Sequence, residues 1–258
     1  MKKNSNIMIT NIKYKLKLLN DIWNDYIFEY KYFSDKLEFN EYVNSNYVAD
    51  IFCYFGDTLS LIFSSKCTSN FEEKFSYTIS FLQAIFIQQD FIEELLGVFK
   101  IENTKKELWL DKLYSTNRGI RNELVGHPIS KNNKKFESSV IFSSQIKENE
   151  IQYLLYHKRK QFNCEIKTLQ IKDIKNRHIK FLVKYLDIII NKSKEYLREY
   201  LLNSNDIENG TKQSIEEILS NDKNMVKKIK KVNIPNVKIT FVNYSKDKTT
   251  SVASKCNG

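Results

Sequence analysis

A chain of 258 residues with six Gly and two Pro has too few breakers for a many-turned β-sandwich or a glycine-rich nucleotide fold, and favours long helices with few corners. Its 17 Phe and 15 Tyr suffice for a substantial core. The formal charge of +10 is uneven, −3 over residues 1–100 and +13 over the remainder, which holds all five Arg. That asymmetry suits a polyanion partner. It equally suits an A/T-rich coding composition that inflates Lys without functional purpose.

No apolar run approaches the roughly 18 residues of a membrane span. Residues 1–10 contain two Lys but no continuous apolar segment ahead of a small-residue cleavage site, so a cytoplasmic protein without a membrane partner is expected. Cys53, Cys67, Cys164 and Cys256 are far apart, with no C-x-x-C and no His at zinc-site spacing. Reduced thiols are expected, with no structural metal and no cofactor.

Residues 9–37 carry Ile12, Leu16, Leu19, Trp23, Tyr26, Tyr30, Phe33 and Leu37 at steps of three and four, which predicts one amphipathic helix. Residues 40–66 repeat the pattern through Val43, Tyr47, Ile51, Tyr54, Thr58 and Leu61. A polar break over residues 64–70 offers Thr68, Ser69 and Asn70 as N-caps for a third helix over residues 71–100. A fourth is expected over residues 104–125, opened by the capping box Thr104/Glu107 and burying Trp109, Leu113, Thr116, Ile120 and Leu124. Gly126 sits where a helix C′ residue would, and Pro128 stops any continuation, which leaves His127 at a helix end.

The stretches 138–146 and 151–156 are rich in Val, Ile, Phe and Tyr around a polar 147–150, which predicts a β-hairpin, with a further strand near 164–169. A fifth helix follows over residues 171–202, then a linker candidate at 203–212, a short basic helix at 213–231, and a tail alternating at Val237, Ile239 and Phe241. The expected architecture is mainly α: an up-and-down bundle of about five long helices, residues 1–202, with a β-hairpin insertion near 136–170. Residues 203–258 form a C-terminal extension.

The chemistry concentrates in Arg118-Gly-Ile-Arg121-Asn122-Glu-Leu-Val-Gly126-His127-Pro128. His titrates near physiological pH, and Arg presents a planar fork of donors to phosphate. An Arg, a polar neighbour and a His with five residues between it and the Arg, set among long helices, resemble the HEPN superfamily. The resemblance covers residues 7–202 loosely and is specific over residues 118–128. It implies a helical bundle, a homodimer with a composite active site whose motifs face across a two-fold axis, and a metal-independent endoribonuclease acting as a toxin or antiviral defence effector, with an antitoxin or defence-system protein as a further partner. Under it Arg121, His127 and Asn122 are catalytic. His127 acts as general base or acid, Arg121 stabilises the charged phosphorane and Asn122 orients His127 or donates to phosphate. Some members are instead inactive interaction modules. Ile129 stands where certain members carry a modifiable Tyr, so control at that position is not expected.

Six residues of ideal helix advance about 600°, so Arg121 and His127 cannot share a face of one. Either the chain turns at Gly126 or a pocket draws on two copies. Arg118, one turn before Arg121, is either a substrate-phosphate contact or a solvated helix-end cation. Lys158, Arg159 and Lys160 either grip an RNA backbone or cap a solvated hairpin end. Lys227, Lys228, Lys230 and Lys231 admit the same two readings, and a basic nucleic-acid-binding protein is the alternative for the whole chain. His178 reads as a surface or half-buried residue. Glu93 and Glu94 diverge by about 100° on a helix and do not form a two-metal pair.

Overall fold

A computed structural model describes residues 2–39, 46–63, 70–102, 104–132, 135–141, 149–158, 162–204 and 207–220. The fold is mainly helical with a small antiparallel sheet. Eight α-helices are described: α1 Lys2–Ile22, α2 Lys31–Leu37, α3 Tyr47–Phe63, α4 Phe71–Val98, α5 Thr104–Leu110, α6 Lys112–Arg121, α7 Ile171–Asn203 and α8 Asn209–Ser220. Four strands lie between α6 and α7: β1 Ile129–Asn132, β2 Lys135–Ile141, β3 Glu150–Lys158 and β4 Phe162–Gln170, paired in the order β1-β2-β3-β4.

The helix expected over residues 9–37 divides. After α1 the chain makes a π turn at Trp23–Ile27 and re-enters helix only at α2, behind the extended backbone of Tyr30. A π turn inserts a residue into the helical count. Trp23, Tyr26 and Ile27 within it are buried. Trp23 is held in place by stacking on Phe39 and by donating from Nε1 to Oδ1 of Asn46 at 2.7 Å. At the start of α4, Asn70 is the N-cap, and its side chain accepts from the Glu72 N–H at 2.8 Å; Thr68 and Ser69 lie outside the described residues.

The fourth expected helix is also two. Asp111 breaks it by capping α6, accepting from the Leu113 N–H at 2.8 Å, while its other carboxylate oxygen takes Lys184 at 2.7 Å and Tyr185 at 3.0 Å on α7. Burial alone would raise the Asp111 carboxyl, but these donors outweigh it and hold the group below its ordinary range. The break turns Trp109 outward, 49% exposed, where the unbroken pattern would bury it. The capping-box side chain of Thr104 lies outside the described residues.

Two clusters form the core. The larger joins α1, α2, α3, α4, α7 and α8 around Trp23, Phe33, Phe55, Phe99, Phe181 and Leu197. The smaller lies between the sheet and the helices, joining Ile62, Phe81, Leu82, Ile120 and Leu124 to Ile151, Tyr153 and Leu155 of β3. Alternate residues of a strand face opposite sides. Ile151, Tyr153 and Leu155 accordingly point inward, while Val140 and Ile166 of the neighbouring strands are 50% and 62% exposed on the outer side. The sheet is larger than the predicted hairpin, because β1 starts immediately after Pro128 and pairs with β2, Ile129 opposite Ser138.

The last described helix begins at Asn209, inside the expected linker, and ends at Ser220. Its Ile215 is fully buried, and Ser214 and Thr211 hydrogen-bond Tyr26 and Tyr30 at 2.7 and 3.4 Å. The lysines at 227–231 and the alternating tail lie outside the described residues.

His178 departs from the surface or half-buried position expected of it: it is fully buried. Its Nε2 lies 2.7 Å from Oε1 of Gln88, whose amide nitrogen donates to the Phe55 carbonyl at 3.2 Å and to Thr58 at 2.9 Å. Those acceptors fix the orientation of the amide, so Oε1 faces the imidazole and Nε2 carries the proton. Nδ1 then holds a bare lone pair and has no partner. The ring is neutral, and burial pushes it down to about 3. One imidazole thereby ties α7 to α4, and through Gln88 to α3.

Candidate functional site

The motif occupies the junction between helix and sheet. From Asn122 to Gly126 the chain forms a π turn, and the His127 N–H closes it on the Asn122 carbonyl at 2.7 Å. In a π turn residues i and i+5 stack, and helical Cβ vectors tilt toward the N-terminus. Gly126 therefore lies beneath Arg121. A Cβ at Gly126 would stand 2.6 Å from Nη1 of Arg121, so any other residue there displaces the end of the guanidinium. The chain does turn at Gly126, and an exposed His127 follows directly. On its other side the Pro128 carbonyl accepts from the Ser139 N–H of β2 at 2.7 Å. The His127 backbone is thus anchored to the helix before it and the sheet after it.

Arg121 is oriented by two residues of α4. Nε and Nη2 both donate to Oε1 of Gln83, at 3.1 and 2.9 Å, and the guanidinium carbon lies 3.9 Å from the centroid of Phe86. Nη1 donates to Oδ1 of Asn122 at 3.2 Å. Guanidinium has five N–H donors, and these contacts use three. Two remain for an incoming acceptor, in a group whose plane is already set.

Arg118 is not a solvated cation. Its side chain is only 12% exposed, paired with Asp90 at 2.7 Å, with the guanidinium carbon 4.0 Å from the centroid of Phe86 and 5.2 and 5.5 Å from those of Tyr114 and Trp109. Phe86 therefore has a guanidinium at each of two positions about its ring, Arg118 and Arg121. Gln83, Phe86 and Asp90 are spaced three and four apart on α4, one face of the helix. That spacing is the sequence signal for a supporting row, but it is read only once α6 is known to lie against it.

A cavity of about 360 Å³ opens beside the motif. Asn122, Glu123 and His127 line it from the π turn; Glu137, Ser139, Leu155 and Lys167 line it from the sheet. Glu123 accepts from the Tyr153 hydroxyl at 3.2 Å and lies 3.7 Å from Nζ of Lys167. Burial first, and then the Glu123 charge, push the Tyr153 hydroxyl up, so it stays protonated and donates. The four sheet residues and Gln83 were not legible as site residues, because no local pattern marks a strand position that faces a distant helix end.

Lys158 lies on β3, its backbone opposite Phe162 and Phe136; Arg159 and Lys160 lie outside the described residues. Glu93 and Glu94 engage separate partners, Tyr114 and Tyr47. Among the described residues no three His, Cys, Asp or Glu side chains gather as a metal site, and no helix is long and apolar enough to cross a membrane. Cys53 and Cys164 are free and exposed. No protein-family model, curated protein or solved structure matches the chain.

Proposed function

We propose that this chain is an endoribonuclease of HEPN type, an up-and-down helical bundle that cuts RNA without a metal. The observation that carries the reading is the state of Arg121: held by Gln83, Phe86 and Asn122, with two N–H donors left over, six residues before an exposed His127. Preoriented donors aimed at developing charge are the largest contribution in most such sites. The Arg121 cation fills the electrostatic role that a metal would otherwise fill.

In this reaction the ribose 2′-OH attacks its own 3′-phosphate. The proton leaves to His127, the O2′–P bond forms, and the P–O5′ bond breaks. The departing O5′ takes a proton from the protonated imidazole or from water. The products are a 2′,3′-cyclic phosphate and a 5′-OH, with no change in oxidation state. Two chains would set two motifs face to face, so that one imidazole accepts while the other donates. A toxin or antiphage effector kept in check by a partner protein is the biological role that fits such an activity.

The test is incubation of total RNA and tRNA with the purified protein in EDTA. Wild type is expected to cut, leaving cyclic phosphate ends. Arg121→Ala and His127→Ala are expected to lose at least a hundredfold in rate, and His127→Ala to keep its melting temperature because the side chain is exposed. Absence of cutting by a folded, dimeric wild type would refute the nuclease. It would favour the alternative of a catalytically silent interaction module, for which the exposed Trp109 and Leu110 offer a contact surface.

A further inference from the structure

Two arginines share one ring, and their partners differ in charge. Arg118 and Arg121 place their guanidinium carbons 4.0 and 3.9 Å from the centroid of Phe86. Helix α4 supplies each with a partner. Arg118 receives the carboxylate of Asp90 at 2.7 Å, which compensates its charge. Arg121 receives carboxamide oxygens, from Gln83 on α4 and from its own neighbour Asn122. Among the described residues no carboxylate pairs with it. Neutral acceptors orient this cation and leave its charge uncompensated.

The same contacts fix both amides. Guanidinium carries donors only, so each amide turns its oxygen to Arg121 and keeps its nitrogen for another acceptor. Neither nitrogen, Nε2 of Gln83 or Nδ2 of Asn122, has an acceptor among the described residues. Each brings two N–H groups, and Arg121 keeps one on Nη1 and one on Nη2. A carbonyl that accepts from a cation also polarises its own amide, whose N–H becomes a stronger donor. All three residues are half-buried, so a ligand can reach them.

We propose that Gln83, Arg121 and Asn122 form an oxyanion site for the substrate phosphate, and that Gln83 is a further catalytic residue; the inference rests on the nuclease reading above. Gln83 donates from Nε2 to a non-bridging phosphate oxygen while its Oε1 holds Arg121. Those oxygens gain charge as the 2′-oxygen bonds to phosphorus, which is when preoriented donors contribute most. A carboxylate at position 83 would also hold the guanidinium. It would cancel the cation, remove two donors and set a negative charge against the phosphate. Gln83→Glu therefore preserves the grip on Arg121 and destroys the affinity for the anion.

The experiment titrates the full chain with inorganic phosphate and follows side-chain N–H resonances by NMR, with RNA cutting in EDTA measured alongside. The Gln83 amide pair is identified by its absence from Gln83→Glu, and the Arg121 Nε–H by its absence from Arg121→Lys. Phosphate is expected to shift both together. Gln83→Glu is expected to bind phosphate roughly tenfold more weakly or worse, with no lower melting temperature. It is expected to cut RNA about a hundredfold more slowly, chiefly through kcat. Gln83→Met, which neither holds Arg121 nor donates, is expected to fail as well. If Gln83→Glu cuts and binds phosphate like wild type while Gln83→Met fails, Gln83 only positions the arginine and the proposal is overturned. A phosphate-induced shift of Arg121 that leaves the Gln83 amide unmoved would overturn it equally, with the nuclease still standing. Joint shifts in a wild type that cuts no RNA would keep the oxyanion site and remove the nuclease. No response to phosphate would overturn the site, whether or not RNA is cut.

Discussion

Adding one methyl group at Gly126 sets a Cβ 2.6 Å from Nη1 of Arg121, 3.4 Å from its Cζ and 3.5 Å from Oδ1 of Asn122. The backbone itself favours the change: replacing Gly by Ala at a compatible helical position stabilises by about 0.4–1 kcal/mol through the unfolded chain. The guanidinium does not. To restore ordinary contact at 3.4 Å Nη1 must retreat, yet Gln83 holds Nε and Nη2, and Phe86 covers the plane at 3.9 Å. The Nη1–Asn122 bond is the contact that gives way. Hydrogen bonds to charged groups contribute about 1.5–3 kcal/mol, so Gly126→Ala is expected to lower kcat/KM for RNA roughly ten- to a hundredfold. The melting temperature should stay level or rise. The structural half is read independently of activity: among five arginines, the Nε–H resonance bonded to Gln83 should shift in Gly126→Ala. A variant that cuts RNA at the wild-type rate, with that resonance unmoved, would refute the account of a glycine kept for the arginine.

Two further outcomes bear on the fold. His178 titrates near 6.5 when unfolded and near 3 when folded, so between those values the unfolded chain binds the extra proton. Stability is then full above pH 6.5 and falls on acidification by about 1.4 kcal/mol per pH unit from this group alone. Urea midpoints across pH 4–7 should show a shallower decline in His178→Gln than in wild type; equal slopes would count against a buried neutral ring. Asn117, 1% exposed, donates to the Ile174 carbonyl at 3.1 Å and accepts from Arg177 Nε at 2.8 Å, joining α6 to α7. Asn117→Ala strands these partners and should cost roughly 2 kcal/mol, measured by urea unfolding; a loss below 0.5 kcal/mol would show that water replaces the side chain.

The apolar spacing of three and four along α1, α3, α4 and α7 follows from the helical period alone, so those elements, the strands β2 to β4 and the polar Asn70 cap were legible in the linear sequence, while β1 was not. The Arg121–His127 motif and its place at a helix end were legible for the same local reason: Gly126 and Pro128 stop the helix without reference to anything distant. Tertiary structure decided the rest. A π turn leaves composition unchanged and adds one residue to the count, so the turns at Trp23–Ile27 and Asn122–Gly126 leave no local mark. Asp111 reads as mid-helix until Lys184 and Tyr185, 73 and 74 residues away, claim its second oxygen. His178 reads as surface or half-buried until Gln88, 90 residues earlier, meets it in the core. Arg121 becomes a fixed donor only through Gln83, 38 residues before it, and His127 gains a cavity only because the sheet folds back beside the motif. Local pattern sets the period of each element and the face it offers. Which groups meet across those faces depends on long-range packing, and the packing assembled this site.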